Sequence, residues 1–391
     1  MLRSILHASH RAAFKIKYAA RSRKWSPAQE RDRPKDSRMI ISGYFDEALG
    51  IGRAGRLVAN RLEELGYDVI REDLRPFDHG LLRTSQKSFP GKAPVWLITV
   101  NPPEAQLAFY GHRPDEWKDA YRIGIWHWES SRAPDEWVPL APYFHEIWVP
   151  SAFAAGAVKG AFDACGQSQL SDRVQVHALP VEIPPSRKSK RWDNKIQVLT
   201  MFDPRSHFER KNPAAVIDVW LALFPQPETN AQLTIKTLEE STSHPLFEAL
   251  TTRVTGRNDI QIRAETLDAA GTDAMINDCD IMMSLHRGEG YGLPLAEAMA
   301  AGKAVLATGW SGNMQFMTPE NSWPVPFDLV SAPSRYNGPA AHWAEPNLQQ
   351  AAIGLKSLIE SENLRCRLGT QARRDMVTLR DRWREQAAWL K

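Results

Sequence analysis

The sequence contains little cysteine and no long hydrophobic run, and each absence excludes a class of protein. Its 391 residues include three cysteines, Cys165, Cys279 and Cys366, an odd number at wide spacing. This spacing excludes a disulfide framework, fits no metal-ligand pattern and indicates a reducing compartment, so we expect a cytoplasmic protein. A transmembrane helix requires about 18 or more consecutive apolar residues. The chain has no such run, so we expect no membrane span.

Acidic residues are missing from the first 24 positions, although the whole chain carries a net charge of only +3. Apolar residues between Leu2 and Ala20 fall near helical spacing. Three interpretations stay open for residues 1–37: a basic amphipathic helix on an anionic membrane surface, a disordered tail, or an organelle-targeting peptide. The first would make the protein peripheral on the inner face of the cytoplasmic membrane. The basic residues of this stretch are Arg3, Arg11, Lys15, Lys17, Arg21, Arg23 and Lys24.

The chain is too long for one ordinary core, and its pattern predicts two domains. From Arg38 onward, short apolar strands alternate with helical segments, which is typical of a mostly parallel α/β sheet. A proline-rich and then basic segment, residues 181–195, interrupts this alternation and is interpreted as a linker. The expected fold class is α/β, with two Rossmann-like parallel-sheet domains (residues 38–180 and 196–365) facing a cleft. A final helix, residues 366–391, is expected to pack back toward the first domain. The predicted strands are MIISGYF, YDVIRED, APVWLITV, RIGIWHW, EIWVPS and VQVHALPV, then IQVLTMFD, AQLTIKTL, IQIRAE, DIMMSLH and KAVLAT.

The stretch RGEGYGLPLAEAMAAG predicts a turn between a buried strand and a short helix. Pro294 suits the first turn of that helix, and Gly302 suits its end. The backbone amides of Gly290, Tyr291, Gly292 and Leu293 then point beyond the helix start, where free donors and the helix dipole favour a phosphate.

Two glutamates, Glu289 and Glu297, lie on either side of this turn with seven residues between them. A carboxylate next to a phosphate is repulsive unless it faces another group, and a carboxylate accepts two hydrogen bonds well from a vicinal diol. A nucleotide sugar offers a ribose diol, a diphosphate and a hexose in that order. We therefore expect Glu297 to hold the ribose and Glu289 to hold the hexose hydroxyls.

The segment EGYGLPLAEAMAAGKAVLATGWSGN resembles the E-x7-E signature of retaining glycosyltransferases with the GT-B fold, in particular the family called GT4. The resemblance extends from about residue 39 to the C-terminus. It implies a nucleotide-sugar co-substrate, with no cofactor and no metal ion. It also implies an Arg and a Lys, six residues apart after the first strand of the second domain, that contact the diphosphate. Arg205 and Lys211 have this spacing, and Arg210 is a rival for the arginine.

Two other patterns bear on a metal site or a phosphate site. The pair Asp278 and Asp280 looks like a metal-binding Asp-x-Asp, but it precedes the strand IMMSLH at the end remote from the cleft, so we interpret it as a turn. The run from Gly302 and Lys303 lacks the earlier glycine of a P-loop, and Ala304 replaces its Ser or Thr.

The motif GIGRAG, which contains Gly50 and Gly52, matches the dinucleotide fingerprint and supports a different function, an NAD-dependent oxidoreductase. Glu72 and Asp73 end the following strand, as that fingerprint requires. However, four residues separate Phe45 from Gly50, so the loop is too long for the tight turn of the fingerprint. A longer glycine-rich loop at this place fits the GT-B resemblance, in which Gly50 and Gly52 approach the donor phosphates. Helix packing is the remaining explanation for the glycines.

The stretch IWHWESS begins on a strand and ends at the expected cleft. Relatives implied by the resemblance carry aromatic residues and a His near the anomeric centre here, so His127 is a catalytic candidate, with Glu129 as the alternative. Trp128 and Glu129 are candidates for the acceptor side. Inward core packing of Trp126 and Trp128 is the competing explanation.

Together with these observations, the resemblance implies a retaining, metal-independent hexosyltransferase. Its donor would be a UDP-, GDP- or dTDP-sugar, and its acceptor a saccharide or lipid-linked saccharide of surface polysaccharide or lipopolysaccharide biosynthesis. Its catalytic residues would be Arg205, Lys211, Glu289 and His127. The alternatives are the NAD-dependent oxidoreductase and a GT-B sugar-nucleotide epimerase. We expect no nucleic-acid partner.

Overall fold

A computed structural model describes residues 21–46, 50–75, 88–91, 94–185, 195–239, 242, 244–333 and 341–388, without the side chain of Arg205. The basic stretch between Leu2 and Ala20 lies outside the described residues. The same holds for residues 186–194 of the predicted linker. None of the helices in the described part of the chain combines the length and hydrophobicity of a transmembrane span.

The first domain is built on a parallel sheet of six strands in the order β2-β1-β3-β4-β5-β6. Its central strands are buried along their whole length, as in β3 and β4, because helices cover both faces of the sheet. The strands are β1 (Arg38–Gly43), β2 (Asp68–Asp73), β3 (Val95–Ile98), β4 (Tyr121–Ile125), β5 (Glu146–Val149) and β6 (Val174–Val176).

The second domain repeats this architecture, with strands in the order β12-β11-β10-β7-β8-β9, again all parallel. The strands are β7 (Ile196–Met201), β8 (Ala231–Thr237), β9 (Ile260–Ala264), β10 (Ile281–Ser284), β11 (Ala304–Thr308) and β12 (Trp323–Val325). The predicted fold class is therefore confirmed, and every predicted strand is present. Strand β12 and a short antiparallel pair, β13 (Phe327–Ser331) and β14 (His342–Pro346), were not predicted from the sequence.

Helices follow the strands in alternation. Gly66 and Gly302 have positive φ values of 88° and 75° and follow the ends of α1 and α9, as expected for glycine stops. The α-helices are α1 (Gly50–Glu64), α2 (Pro102–Gly111), α3 (Pro114–Trp117), α4 (Ala152–Ala164), α5 (Phe208–Lys211), α6 (Pro213–Leu223), α7 (Pro245–Arg253), α8 (Ala269–Asp278), α9 (Leu293–Ala300), α10 (Leu348–Glu360) and α11 (Glu362–Gln386).

Each sheet has one position at which the order of the strands reverses, because strands that follow in the chain are added on the other side of the first strand. In the first sheet this position lies between β1 and β3, and in the second it lies between β7 and β10. Connections leave the sheet toward opposite sides there, so a crevice opens at the carboxyl ends of the two strands. The loops that follow β7 and β10 carry the residues singled out by the sequence.

The last helix, α11, joins the two domains. Near its start, a Cβ on Gly369 would lie 2.0 Å from the carbonyl oxygen of Gly302, so the helix packs directly on the loop after α9. Near its end, Trp383 is buried, and the hydroxyl of Tyr67 in the first domain donates to the carbonyl of Ala387 at 2.6 Å. The helix begins at Glu362, so the predicted boundary at residue 365 falls inside it.

Residues 21–36 run along the first domain. Trp25 is buried, with its ring 5.3 Å from Phe109 and 5.5 Å from Tyr143, and the amide of Ala28 donates to the carbonyl of Pro142 at 2.8 Å. Trp25 and Ala28 are thus buried against the first domain, whereas most of the other residues of this stretch are exposed.

The close contact at Gly369 generates a stability prediction. Gly369→Ala should destabilise the protein by about 1–3 kcal/mol, because the added methyl group overpacks the contact with the Gly302 carbonyl. Gly160→Ala in α4 is the matched control, since no atom lies within 4 Å of its Cβ position and alanine favours a helix by about 0.5–1 kcal/mol. Denaturant unfolding measures both variants. Equal shifts for the two would contradict the packing described for α11.

Candidate active site

The loops after β7 and β10 meet at the crevice of the second sheet. The three non-glycine residues with positive φ in the described part of the chain all border this place: His207 at 70°, Asn212 at 51° and Ser311 at 80°. His207 and Asn212 flank α5, and the hydroxyl of Ser311 accepts the amide of Glu289 at 2.9 Å. Such strained backbone is concentrated at functional sites, where the surrounding structure enforces it.

Lys211 and Glu289 form an ion pair between these two loops, from Nζ to Oε1. Arg210 lies beside the pair, with Nη1 3.7 Å from Oε2 of Glu289. Its Nη1 also donates to the carbonyl of Gly288, and its Nη2 donates to the carbonyl of Ser206 at 2.7 Å. Arg210 is buried, and these hydrogen bonds connect the two loops.

Glu289 is ionised over the whole physiological range. Its burial would raise the pKa, but the nearby cations Lys211 and Arg210 outweigh that effect and lower the pKa to about 2. The carboxylate is therefore an acceptor of hydrogen bonds and does not act as an acid near neutral pH.

Glu297 lies one turn into α9 and contacts the opposite domain. Its Oε1 accepts a hydrogen bond from Nε of Arg53, which lies in the first turn of α1, and Nη2 of Arg53 is 2.7 Å from Oδ1 of Asp273. Burial raises the pKa of Glu297 to about 7, although Arg53 acts in the other direction. The two glutamates of the motif thus have opposite pKa shifts.

The start of α9 offers unpaired amides. The amides of Gly290, Tyr291 and Gly292 donate to no acceptor among the residues that the structure describes. Gly292 has a φ of 88°, which directs the chain into the helix. The Tyr291 side chain is buried, and its hydroxyl donates to the carbonyl of Leu179 at 3.3 Å, so only the backbone of Tyr291 is available to a ligand.

The stretch from His127 to Glu129 faces this loop from the first domain. A Cβ on Gly290 would lie 2.8 Å from the Trp128 carbonyl oxygen, and one on Gly288 would lie 2.5 Å from that of Glu129. Glycine is required at both positions for the domains to approach so closely. The carboxylate of Glu129 lies 3.3 Å from Nη2 of Arg210, which links the two domains.

His127 carries a buried ring nitrogen, Nε2, that has no hydrogen-bond partner among the described residues. Burial lowers the pKa of this histidine to about 4, so the ring is neutral at pH 7. Trp128 is more constrained, because its indole donates to the carbonyl of Arg132 at 2.6 Å and its ring lies edge-on to Trp137 at 5.0 Å. Trp126 is fully buried, which agrees with a packing role.

Solved structures with a similar course of the chain include a glycosyltransferase. A glycosyltransferase from Rickettsia africae ESF-5 matches with a TM-score of 0.62 at 14% identity, over 92% of this chain and 100% of that chain. Anabaena Alr3699/HepE in complex with UDP and glucose matches with a TM-score of 0.60 at 14% identity, over 90% of this chain and 99% of that chain.

A mutant of S. aureus TarM in complex with UDP matches with a TM-score of 0.52 at 12% identity, over 74% of this chain. The match covers 54% of that chain, so this protein spans about half the length of TarM. No protein-family model and no curated protein sequence matches the chain.

The chain has the GT-B fold. At 12–14% identity this similarity concerns the fold alone.

Within this GT-B fold, the structure brings most of the predicted residues to one cleft. Lys211 and Glu289 are in contact, and Arg210 links this pair to Glu129. Glu297 lies one turn into α9, the helix that follows Glu289. The backbone of Arg205 lies in a short turn, Pro204–Ser206, and its side chain lies outside the described part of the chain. Arg210, the rival arginine, is in direct reach of Glu289.

The GIGRAG motif has mixed roles in this GT-B fold. Gly55 serves packing, since a Cβ there would lie 2.8 Å from Oγ1 of Thr99, whereas Gly50 faces open space at the start of α1 and Gly52 is buried. Arg53 of the same motif was missed in the sequence analysis. Its position in the first turn of a helix that follows β1 places it at the cleft, but no sequence pattern indicates its contacts with the second domain.

Glu72 is unsuited to the ribose contact that a dinucleotide fold requires. Its carboxylate accepts the hydroxyl of Ser42 at 2.6 Å and lies 2.7 Å from Nε2 of the buried His112. This internal network disfavours the NAD-dependent oxidoreductase.

Asp280 serves a structural purpose. Its carboxylate accepts the amide of Gln197 at 2.8 Å and ties β7 to β10 at their amino ends, as expected for a strand start. Among the described residues, no three His, Cys, Asp or Glu side chains are grouped so that they could hold a metal ion.

The opposite pKa shifts of the two glutamates generate a stability prediction. Glu297 keeps its proton up to a pKa of about 7, above the usual 4.5, so the folded state binds more protons than the unfolded state between these values and stability falls as pH rises. We expect Glu297→Gln to remove that cost, which is roughly 3 kcal/mol before the lost Arg53 contact is subtracted. Its melting temperature relative to the wild type should rise between pH 5 and pH 8.

Glu289→Gln is the matched control with the opposite sign. The pKa of Glu289 is lowered to about 2, so its contribution to stability is present above about pH 4.5 and is lost as pH falls through 2. This variant should melt below the wild type at pH 7, with a deficit that shrinks in acid. Parallel pH profiles for the two variants, measured by calorimetry, would contradict the assigned electrostatics.

Proposed function

We propose that the protein is a retaining glycosyltransferase of the GT4 type. It would move a hexosyl group from a nucleotide-diphosphate sugar to a hydroxyl of a saccharide or lipid-linked saccharide. The observation that carries this proposal is the Lys211–Glu289 ion pair beside the unpaired amides at the start of α9, at the reversal point between β7 and β10.

The charges at this cleft suit a ligand that is anionic in the middle and rich in hydroxyls at both ends. Without a ligand, the carboxylates of Glu289 and Glu297 are bound to the cations Lys211 and Arg53. A nucleotide sugar can exchange these partners, since its diphosphate takes the cation and the amides while its hydroxyls take the carboxylates. No buried charge is left without a partner in this exchange, and such a charge would cost several kcal/mol.

In the reaction, the bond between the anomeric carbon and the diphosphate breaks, and a bond to the acceptor oxygen forms on the same face. The leaving diphosphate gathers negative charge, which Lys211, the Arg205 or Arg210 guanidinium and the amides from Gly290 to Leu293 stabilise. The diphosphate takes the acceptor proton. Glu289 orients the hexose and forms no covalent bond, and no metal ion is required in this scheme.

The first domain supplies the acceptor side. The neutral ring of His127 has a buried Nε2 without a partner in the described chain, so it can form a hydrogen bond to a sugar hydroxyl near the anomeric centre. Glu129 and Trp128 border the same space. Domain closure over the donor excludes water and so limits hydrolysis.

The experiment that tests the function is a donor panel. UDP-, GDP- and dTDP-linked sugars with a radiolabelled hexose are incubated with the protein and a lipid or saccharide fraction. The solved structures of HepE and TarM contain UDP, so UDP-sugars come first. Transfer of label to the acceptor supports the proposal. Epimerised donor without transfer supports the epimerase, and NADH fluorescence on mixing supports the oxidoreductase.

Lys211→Ala tests the proposed stabilisation of the leaving group. Removing one preorganised electrostatic donor lowers turnover by about 10²–10³, so we expect a kcat loss of that size. Lys356→Ala is the matched control, because Lys356 is an exposed lysine of α10 that pairs only loosely with Glu360 at 3.8 Å. Turnover of Lys211→Ala within about twofold of this control would remove Lys211 from the site.

We also propose that the acceptor is presented at an anionic membrane surface, within surface polysaccharide or lipopolysaccharide biosynthesis. Seven basic residues and no acid in positions 1–24 support this part of the proposal.

Deleting residues 1–20 should release the protein from vesicles that contain phosphatidylglycerol, while donor hydrolysis stays unchanged. The deletion ends before Arg21, because Trp25 is part of the core. Vesicle co-sedimentation measures the effect, and neutral vesicles serve as the control. Undiminished binding of the shortened protein would show that residues 1–20 are not the membrane contact.

A further inference from the structure

Arg53 crosses the cleft between the two domains. It lies in the first turn of α1, at the carboxyl end of β1, and its guanidinium contacts two acids of the second domain. Nε donates to Glu297 of α9, and Nη2 is 2.7 Å from the carboxylate of Asp273 of α8. Glu297 is 9% exposed and Asp273 is 51% exposed, so one partner is inside the cleft and the other is at its edge.

This contact conflicts with the role proposed for Glu297. Arg53 already donates a hydrogen bond to Oε1 of Glu297, on the side of the carboxylate that faces the first domain. A ribose diol that donates to both oxygens of Glu297 would compete with the guanidinium for this carboxylate and can displace it. An arginine that leaves Glu297 keeps only the exposed Asp273 at the edge of the cleft, so a second anion inside the cleft would restore its pairing there.

The nearest such partner would be the diphosphate. Glu297 and Leu293 are four residues apart on α9, which corresponds to about 6 Å along the helix axis. A guanidinium that leaves Glu297 thus lies about one turn from the amides that begin the helix. The positive end of the dipole of α1 also favours an anion here, and the first turn of this helix contains no acidic residue that would oppose it.

We propose that Arg53 is a diphosphate-binding residue supplied by the first domain, held by Glu297 and Asp273 until the ribose of the donor displaces it. The inference rests on the proposed function, since it requires a nucleotide diphosphate in the cleft. A planar guanidinium suits two phosphate oxygens at once, which a lysine does not. Recognition of the ribose and recognition of the diphosphate are then coupled through one side chain.

The experiment measures binding of UDP, UMP and uridine by calorimetry, with the guanine or thymine series in their place if GDP or dTDP binds more tightly. Arg53→Gln should weaken UDP about 10- to 100-fold, as expected for a lost hydrogen bond between charged groups. It should not weaken uridine, because removing the guanidinium leaves Glu297 free to accept the ribose. Arg53→Lys should lie between the two, because it keeps the charge and loses the planar geometry.

Two further variants separate this role from a structural one. Asp273→Asn frees Arg53 from an exposed acid and should strengthen UDP binding by up to about fivefold. Arg56→Gln is the matched control on the same helix, since Arg56 donates to the carbonyl of Phe45 in its own domain, and it should leave UDP affinity unchanged. Melting temperatures establish that each variant is folded.

The outcomes distinguish this inference from the proposed function. If the wild type binds none of the three nucleoside diphosphates, the proposed function is wrong and the inference falls with it. If the wild type binds UDP but Arg53→Gln weakens UDP and uridine equally, or neither, then Arg53 acts only on Glu297 or on the domain contact, and the inference alone is wrong. A loss confined to the phosphorylated ligands, with the opposite effect of Asp273→Asn, supports it.

Discussion

The ion pair between Lys211 and Glu289 is the interaction on which the rest of the cleft depends. It joins the loops after two adjacent strands, β7 and β10, at the point where the strand order reverses. Arg210 donates hydrogen bonds to carbonyls of both loops. Because the cations outweigh burial, Glu289 keeps its charge with a pKa of about 2. The cleft therefore holds a carboxylate and a cation, only 12% and 14% exposed, that can exchange partners with a ligand of complementary charge.

The two domains meet through reciprocal contacts around this pair. A cation of the second domain, Arg210, reaches Glu129 of the first, and a cation of the first, Arg53, reaches Glu297 of the second. Glycines at positions 288 and 290 allow the backbones to approach each other. The hydrophobic core is continuous across the domains, with Trp383 of α11 buried at the junction. The ion pairs between the domains thus hold the cleft closed through the same charged side chains that would contact a nucleotide-sugar donor.

The sequence predicted the fold well, because buried parallel strands are short apolar runs that differ clearly from the amphipathic helices between them. The exposed strand β13 is not a buried apolar run, so it could not be predicted from the sequence in this way. The loop glutamates could be found from their spacing around a glycine-rich turn. Arg53 could not, because its contacts with Glu297 and Asp273 depend on how two separately folded domains face each other, and neither helix pattern encodes that. The buried position of the Tyr291 side chain could not be predicted either, because its hydroxyl contacts Leu179 of the first domain.

The measurement that tests the central claim most directly is a crystal structure of the protein with an intact nucleotide sugar. The account predicts a diphosphate within hydrogen-bond distance of Lys211 and of the amides from Gly290 to Leu293, a ribose diol on Glu297 and hexose hydroxyls on Glu289. A nucleotide sugar bound elsewhere, with the Lys211–Glu289 pair undisturbed, would contradict it.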